Sequence, residues 1–374
     1  MNSRRQRTAD RRVPFPWPCP LLCLGVALAL AAVPPQASTA QPSASNLSSK
    51  PAPPTPDEPL AGSFSLSKSE HYLDRVTLAW LGQRKCASCH TGYPYLLARA
   101  TADERRQPAV RQVRQFFEDR VAAWDKGGKG AGYLKAEGSL KVSEGVTEVV
   151  AIAATLALHD AQSTAKLQPQ TRVALARMWE LHRPDGAWTW NNTGLAPLEY
   201  DAYYGAVYAA LGVGHAPEQY AYGKAARQGV ARLTAYLQKH PAPNLHHKTW
   251  LLWAFLKLGG LMTPAERRRT IQALVALQRP DGGWGLRSLG NWKRPNNRPK
   301  TELLASDGYA TGLIVYVLRQ AGVPITDPAM PRAPLASDQP ACFGPLVHPF
   351  SKRWMPALDQ QRRDGVRGDG AQSL

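Results

Sequence analysis

The chain has 374 residues, 44% of them hydrophobic and 20% charged, with 30 Gly and 32 Pro. That is enough apolar material for one large domain or two ordinary ones, and it excludes a wholly disordered chain. The formal net charge of +18 suits an anionic membrane surface or an acidic redox partner, and it speaks to association rather than to fold.

Residues 1–40 read as a secretory signal peptide. Five arginines up to Arg12 face a single acid, Asp10; the 13-residue apolar run Leu21–Val33 follows, and Ser38-Thr39-Ala40 places small residues where a signal peptidase cuts. The run is shorter than the roughly 20 apolar residues a membrane-spanning helix needs. The expectation is export, to the periplasm or the extracellular space, and no nucleic-acid partner. Residues 41–374 keep 41 Lys+Arg against 27 Asp+Glu. Residues 41–62 are rich in Pro, Ser and Ala and poor in aromatics, so they read as a disordered linker. The folded part is read as residues 63–322.

A helix is expected over 73–82, and directly after it comes Cys86-Ala87-Ser88-Cys89-His90. Two thiols three residues apart followed by histidine match the c-type haem attachment string. The thiols add to porphyrin vinyl groups and the adjacent imidazole becomes an axial iron ligand. The expectation is a covalently bound haem c held by Cys86, Cys89 and His90, with His90 as the metal ligand. The alternatives are a short-loop disulfide, a thioredoxin-like redox pair and a partial zinc site. The second lacks a βαβ context, and the third lacks a fourth ligand and another cysteine pair. His71, His159, His246, His247, Met178 and Met262 are candidates for the sixth iron ligand. The other choice is a five-coordinate iron able to bind a gas or peroxide.

Further along, the chain repeats itself. Leu277-Gln278-Arg279-Pro280-Asp281-Gly282-Gly283-Trp284 has a near copy in Leu181-His182-Arg183-Pro184-Asp185-Gly186-Ala187-Trp188 and a decayed one over 361–368. The best copy ends a helix that opens at Thr263-Pro264-Ala265-Glu266, with a capping Thr, Pro at the first helical position and Glu three residues after the cap. After each turn comes a more apolar helix, opening with Asp201-Ala202-Tyr203-Tyr204 in one case and Asp307-Gly308-Tyr309-Ala310 in the other. Two more apolar helices are expected over 143–159 and 247–258. Amphipathic helices alternating with helices apolar nearly all round predict an outer and an inner ring, that is, an all-α fold of helix hairpins closed or partly closed into an α/α toroid. No segment alternates with period two for long enough to predict a strand.

On these turns the chain resembles the squalene-hopene cyclase and protein prenyltransferase superfamily, whose hairpins carry a Gln-x-x-Asp-Gly-x-Trp motif. Gln278, Asp281, Gly282 and Trp284 match it residue by residue, and His182 stands in place of Gln at the earlier copy. The resemblance spans roughly residues 66–322 and implies the toroid and an apolar isoprenoid ligand. The motif residues themselves read as structural: Gln caps a helix end, Gly permits positive φ and Trp covers the joint. The segment 83–89 follows its helix as 278–284 follows its own, so the cysteines occupy a repeat turn. The chain looks like an exported subgroup of this family with a cysteine-pair-histidine turn.

The acidic Asp-x-Asp-Asp string of the cyclases is absent, and the only cysteine beyond the turn for a transferase-type zinc is Cys342. Asp201, Asp307 and His247 remain as cavity candidates for catalysis. Capping of helix N-termini is the plainer reading of the two acids. Tyr203, Tyr204, Trp250, Trp253 and Tyr309 head apolar helices, which suits an apolar or cationic guest and equally a packed core. A basic loop over 286–300, with Arg287, Lys293, Arg294, Arg298 and Lys300, is a docking candidate for a membrane or redox partner. Residues 323–374 are an irregular Pro-rich tail. The leading expectation is an exported toroid carrying a c-type haem for redox chemistry or ligand binding; the alternative is an isoprenoid- or terpenoid-modifying enzyme.

Overall fold

The computed structural model describes residues 65–84, 87, 91–100, 107–124, 139–192, 196–292 and 306–324, the side chains of 139–142 excepted. The segments expected to be a signal peptide (1–40) and a linker (41–62), the cysteines and histidine of the 86–90 string, loop residues 293–305 and the tail from 325 lie outside the described residues.

Among the described residues the chain forms ten α-helices and no strand: α1 (Leu66–Arg84), α2 (Gly92–Arg99), α3 (Pro108–Ala123), α4 (Ser139–Ser163), α5 (Pro169–Glu180), α6 (Ala202–His215), α7 (Arg227–Lys239), α8 (Leu245–Leu258), α9 (Pro264–Ala276) and α10 (Gly308–Gln320). The helix expected over 73–82 is longer at both ends. No helix is long and apolar enough to cross a membrane.

The even-numbered helices form a central row in which α2 packs on α4, α4 on α6, α6 on α8 and α8 on α10. Every odd-numbered helix flanks the next helix as its hairpin partner or packs on the row beside it. Sequence explains the division. In α6 every residue from Tyr203 to Val213 is buried, whereas α7 buries only Gly229, Leu233 and Leu237, spaced four apart on one stripe. Fully burying each such leucine contributes about 1.5–3 kcal/mol.

The row helices α4, α6, α8 and α10 run parallel. Asp201 meets His247 at the starts of α6 and α8, and Gly214 lies against Leu258 at their ends. Thr155 of α4 shares a hydrogen bond with Tyr208 of α6 (2.9 Å), and His246 meets Tyr309 where α8 and α10 begin. Helices α4 and α6 cross closely at Gly212, where a Cβ would lie 2.4 Å from the Ala154 Cα, so only glycine fits.

The repeat turns are equivalent in three dimensions. Trp188 Nε1 donates to Met178 O (2.8 Å) and Trp284 Nε1 to Leu274 O (2.7 Å), each ten residues back, and both indoles are fully buried. Arg183 N bonds Ala187 O, and Arg279 N bonds Gly283 O, both at 3.0 Å. Gly186 and Gly282 take φ of 93° and 81°, which an L side chain rarely adopts. Gln278 Nε2 donates to Gly282 O at 2.9 Å; His182 instead stacks on Trp188, with centroids 4.3 Å apart. The structural reading of the motif holds: these residues fasten each turn to its own helix.

Candidate functional site at the starts of the row helices

Three row helices begin with the same device. Asp201, Asn244 and Asp307 have extended backbones, and each side chain accepts the backbone N–H three residues on: Tyr204 at 2.9 Å, His247 at 2.9 Å and Ala310 at 2.7 Å. Each satisfies a helix donor that would otherwise be unpaired and places an acidic or amide oxygen at the positive end of the helix. Capping accounts for both aspartates, as the plainer reading expected.

Parallel packing then brings two of the three predicted cavity residues together. His247, fully buried in the first turn of α8, has Nδ1 2.6 Å from Asn244 Oδ1 and Nε2 3.1 Å from Asp201 Oδ2. Both ring nitrogens face acceptor oxygens, so the ring fastens the cap of α6 to the cap of α8. Burial pushes the Asp201 carboxyl up. The hydrogen bond and charge of His247 and the backbone N–H groups of Tyr204 and Tyr203 outweigh it, and the net shift is below the ordinary carboxylate value. Asp307 is not part of this contact. Its other oxygen accepts Leu286 N at 2.6 Å, and burial holds its carboxyl above the ordinary value.

His246 is fully buried beside this pair and makes a different set of contacts. Its Nε2 accepts from Trp250 Nε1 at 3.1 Å and lies 2.7 Å from the Tyr309 hydroxyl. An indole N–H only donates, so Nε2 carries no proton and the neutral ring is protonated at Nδ1. Burial, with the neighbouring His247, holds the ring well below its ordinary value. The imidazole stacks on Tyr204 and Tyr309, with centroids 5.9 and 5.8 Å away, and meets Trp292 edge-on at 5.5 Å. A cavity of about 380 Å³ opens beside Asp201 and Asn244, bordered by Arg287 and Trp292. Arg287 itself donates to Trp292 O at 3.2 Å, so this member of the expected basic loop is tied to its own turn.

Cys86, Cys89 and His90 lie outside the described residues, but their frame does not. The string falls between the end of α1 at Arg84 and the start of α2 at Gly92. That turn leads from a flanking helix into the row, as the turns of Trp188 and Trp284 do. Ala87 is buried, and a Cβ on Gly92 would lie 2.5 Å from the Ala87 carbonyl oxygen. Thr91, next after His90, is fully buried and its hydroxyl has no hydrogen-bond partner. The hairpin is braced at its other end by Arg99, which pairs with Asp74 (3.1 Å) and Glu70, while the Tyr95 hydroxyl donates to Asp74 at 2.6 Å.

The structure also places the candidates for a sixth ligand. His159 is fully buried near the end of α4, with Nδ1 2.8 Å from Arg114 Nη1, and Met262 sits in the α8–α9 connection. Met178, His246 and His247 are fully buried, and His71 is partly exposed in the first half of α1. Among the described residues no group of three or more His, Cys, Asp or Glu is arranged to hold a metal ion.

Sequence reading missed Asn244 and Trp292. The first was detectable, since Asn after Pro-Ala-Pro and before an apolar run is a helix-start signal. Trp292 carries no local signal, because its contacts come from helices that begin dozens of residues away. Compared with protein-family models, curated proteins and solved structures, the chain matches none.

Proposed function

We propose that this is an exported α/α-toroid protein of the squalene cyclase-like kind, with one c-type haem attached covalently in its first hairpin turn, acting in redox chemistry or in binding a small ligand at the haem iron. The observation that carries the reading is the Cys86-Ala87-Ser88-Cys89-His90 string at the flanking-to-row turn of the first hairpin. Five consecutive hairpins with a parallel row support the toroid. The flanks fit the group: the braced α1–α2 hairpin offers a fixed support, and the unpartnered Thr91 hydroxyl beside His90 is a polar contact still to be made.

Cys86 and Cys89 would hold the group covalently and His90 would bind its iron; when bound, the haem would supply a redox-active iron. The basic charge of the chain suits an acidic redox partner.

The test is a visible spectrum of protein made with a haem-attachment system. A Soret band and a pyridine haemochrome that survive acid-acetone extraction are expected, and Cys86→Ala with Cys89→Ala removes them. Colourless wild-type protein refutes the reading.

A further inference from the structure

Between α7, α8 and α9 lies a groove of about 700 Å³, within the roughly 300–1,000 Å³ typical of small-molecule sites. It is remote in sequence from the cysteine turn, and it goes beyond the haem reading. Its floor is apolar, with Leu237 of α7 and Leu251 of α8 both buried. Its rim carries Lys248 from α8 and Arg269 from α9. Both cations act on Glu266, the acid of this rim, and lower its pKa after the larger effect of its bonds to Thr263. Glu266 is already committed: one carboxylate oxygen accepts the Thr263 backbone N–H at 2.7 Å and the Thr263 hydroxyl at 2.8 Å in a capping box. Glu266 keeps its charge, but the lining sets three cations, Lys239, Lys248 and Arg269, against this one acid, so the rim stays net positive.

A second, independent feature points to a ligand. Tyr203 lines the same groove, is 5% exposed, and its hydroxyl has no hydrogen-bond partner. An orphaned buried hydroxyl has lost its water and gained nothing in exchange, so it destabilises the free protein. Burial first, and then the charges of Tyr236, Asp201 and Glu266, hold the phenol above its ordinary value, so it stays a donor.

We propose that this groove binds a free single-chain anionic amphiphile of the fatty-acid type, its chain on the Leu237–Leu251 floor and its carboxylate taking the Tyr203 hydroxyl and the charges of Lys248 and Arg269. A neutral alcohol could accept from the Tyr203 hydroxyl but would bring no counter-charge to the cationic rim. A bilayer could offer the same chemistry, so the test separates the two sources.

The full chain is titrated calorimetrically with decanoate and with decanol, and sedimented with phosphatidylglycerol vesicles. Decanoate is expected to bind at least tenfold more tightly than decanol, without vesicle binding of comparable strength. Tyr203→Phe weakens decanoate binding about tenfold, as loss of a hydrogen bond to a charged group does. The same variant melts, without ligand, at or above the wild-type temperature. Lys248→Gln with Arg269→Gln weakens decanoate and leaves decanol unchanged. Equal affinity for acid and alcohol, unchanged decanoate binding in Tyr203→Phe, or a lowered melting point in ligand-free Tyr203→Phe overturns the proposal. So does binding to vesicles with none to decanoate. None of these readouts depends on haem, so the two readings fail separately.

Discussion

Trp284 donates its indole N–H to the carbonyl oxygen of Leu274 at 2.7 Å, closing the turn of α9 back onto the helix that precedes it. The indole is fully buried, and it sits in a second apolar cluster with Leu289, Trp292, Ala310, Ile314 and Leu318. Trp284→Ala should lower stability by about 3–5 kcal/mol, as loss of a buried aromatic does. Trp284→Phe keeps most of the apolar area but leaves the Leu274 carbonyl short of a partner, for about 1–2 kcal/mol. Denaturant unfolding measures both. No loss in Trp284→Phe would mean that the indole N–H contributes nothing beyond packing.

The repeat turns were legible because their chemistry is local. Positive φ at Gly186 and Gly282, the capping box at Thr263 and the caps at Asp201 and Asp307 each depend on residues within four positions of one another. Alternation of apolar and amphipathic helices exposed the two-layer plan for the same reason. The buried polar contacts were not legible. Arg114 of α3 reaches Asp160 and His159 of α4 (each 2.8 Å), and His246 of α8 reaches Tyr309 of α10, across separations of 45 to 63 residues that no periodicity encodes. The Cys86-Ala87-Ser88-Cys89-His90 string is the converse case: the proposal of a haem rests on the order of five residues and not on any long-range contact.

His247 bridges Asp201 and Asn244, so its removal strands a half-buried carboxylate and loosens two helix caps at once. His247→Ala should cost about 2–4 kcal/mol, less than a fully buried pair because Asp201 keeps some contact with water. In a double-mutant cycle with Asp201→Asn the coupling should be about 1 kcal/mol or more. Strict additivity would show that the two groups do not interact in solution.

Buried histidines give the fold a pH dependence of definite sign. Burial holds His159 at about 3 and His215 at about 4, and His246 lies well below 6.5. In the unfolded chain each titrates near 6.5. Between that value and the folded ones the unfolded state binds more protons, so stability rises with pH. The contribution is fully present above about pH 6.5 and is lost as pH falls toward 4 and 3, at up to about 1.4 kcal/mol per unit for each ring. Unfolding free energies at pH 7.5, 6 and 5 should fall in that order, and His215→Asn should flatten the slope. A constant free energy over this range would show that the rings are protonated or exposed in the folded protein.

Cyclase chemistry is where the family resemblance tempts most, and the geometry argues against it. Protonating an alkene requires a carboxylic acid kept neutral and strongly acidic by its neighbours. Asp201 is held in its ionised form, with its carboxylate against His247 and the α6 N-terminus. Asp307 is the better buried of the two, and burial raises its pKa, but both of its oxygens are accepting backbone N–H groups from Ala310 and Leu286. An acid with its oxygens so committed is held as an acceptor, not poised to give a proton to a guest. The purified protein should therefore form no cyclic product from squalene or its epoxide under conditions that support a known cyclase, as judged by gas chromatography of the extracted lipids. A cyclic triterpene that disappears in Asp201→Asn or Asp307→Asn would make one of these caps a catalytic acid and the protein an isoprenoid-modifying enzyme.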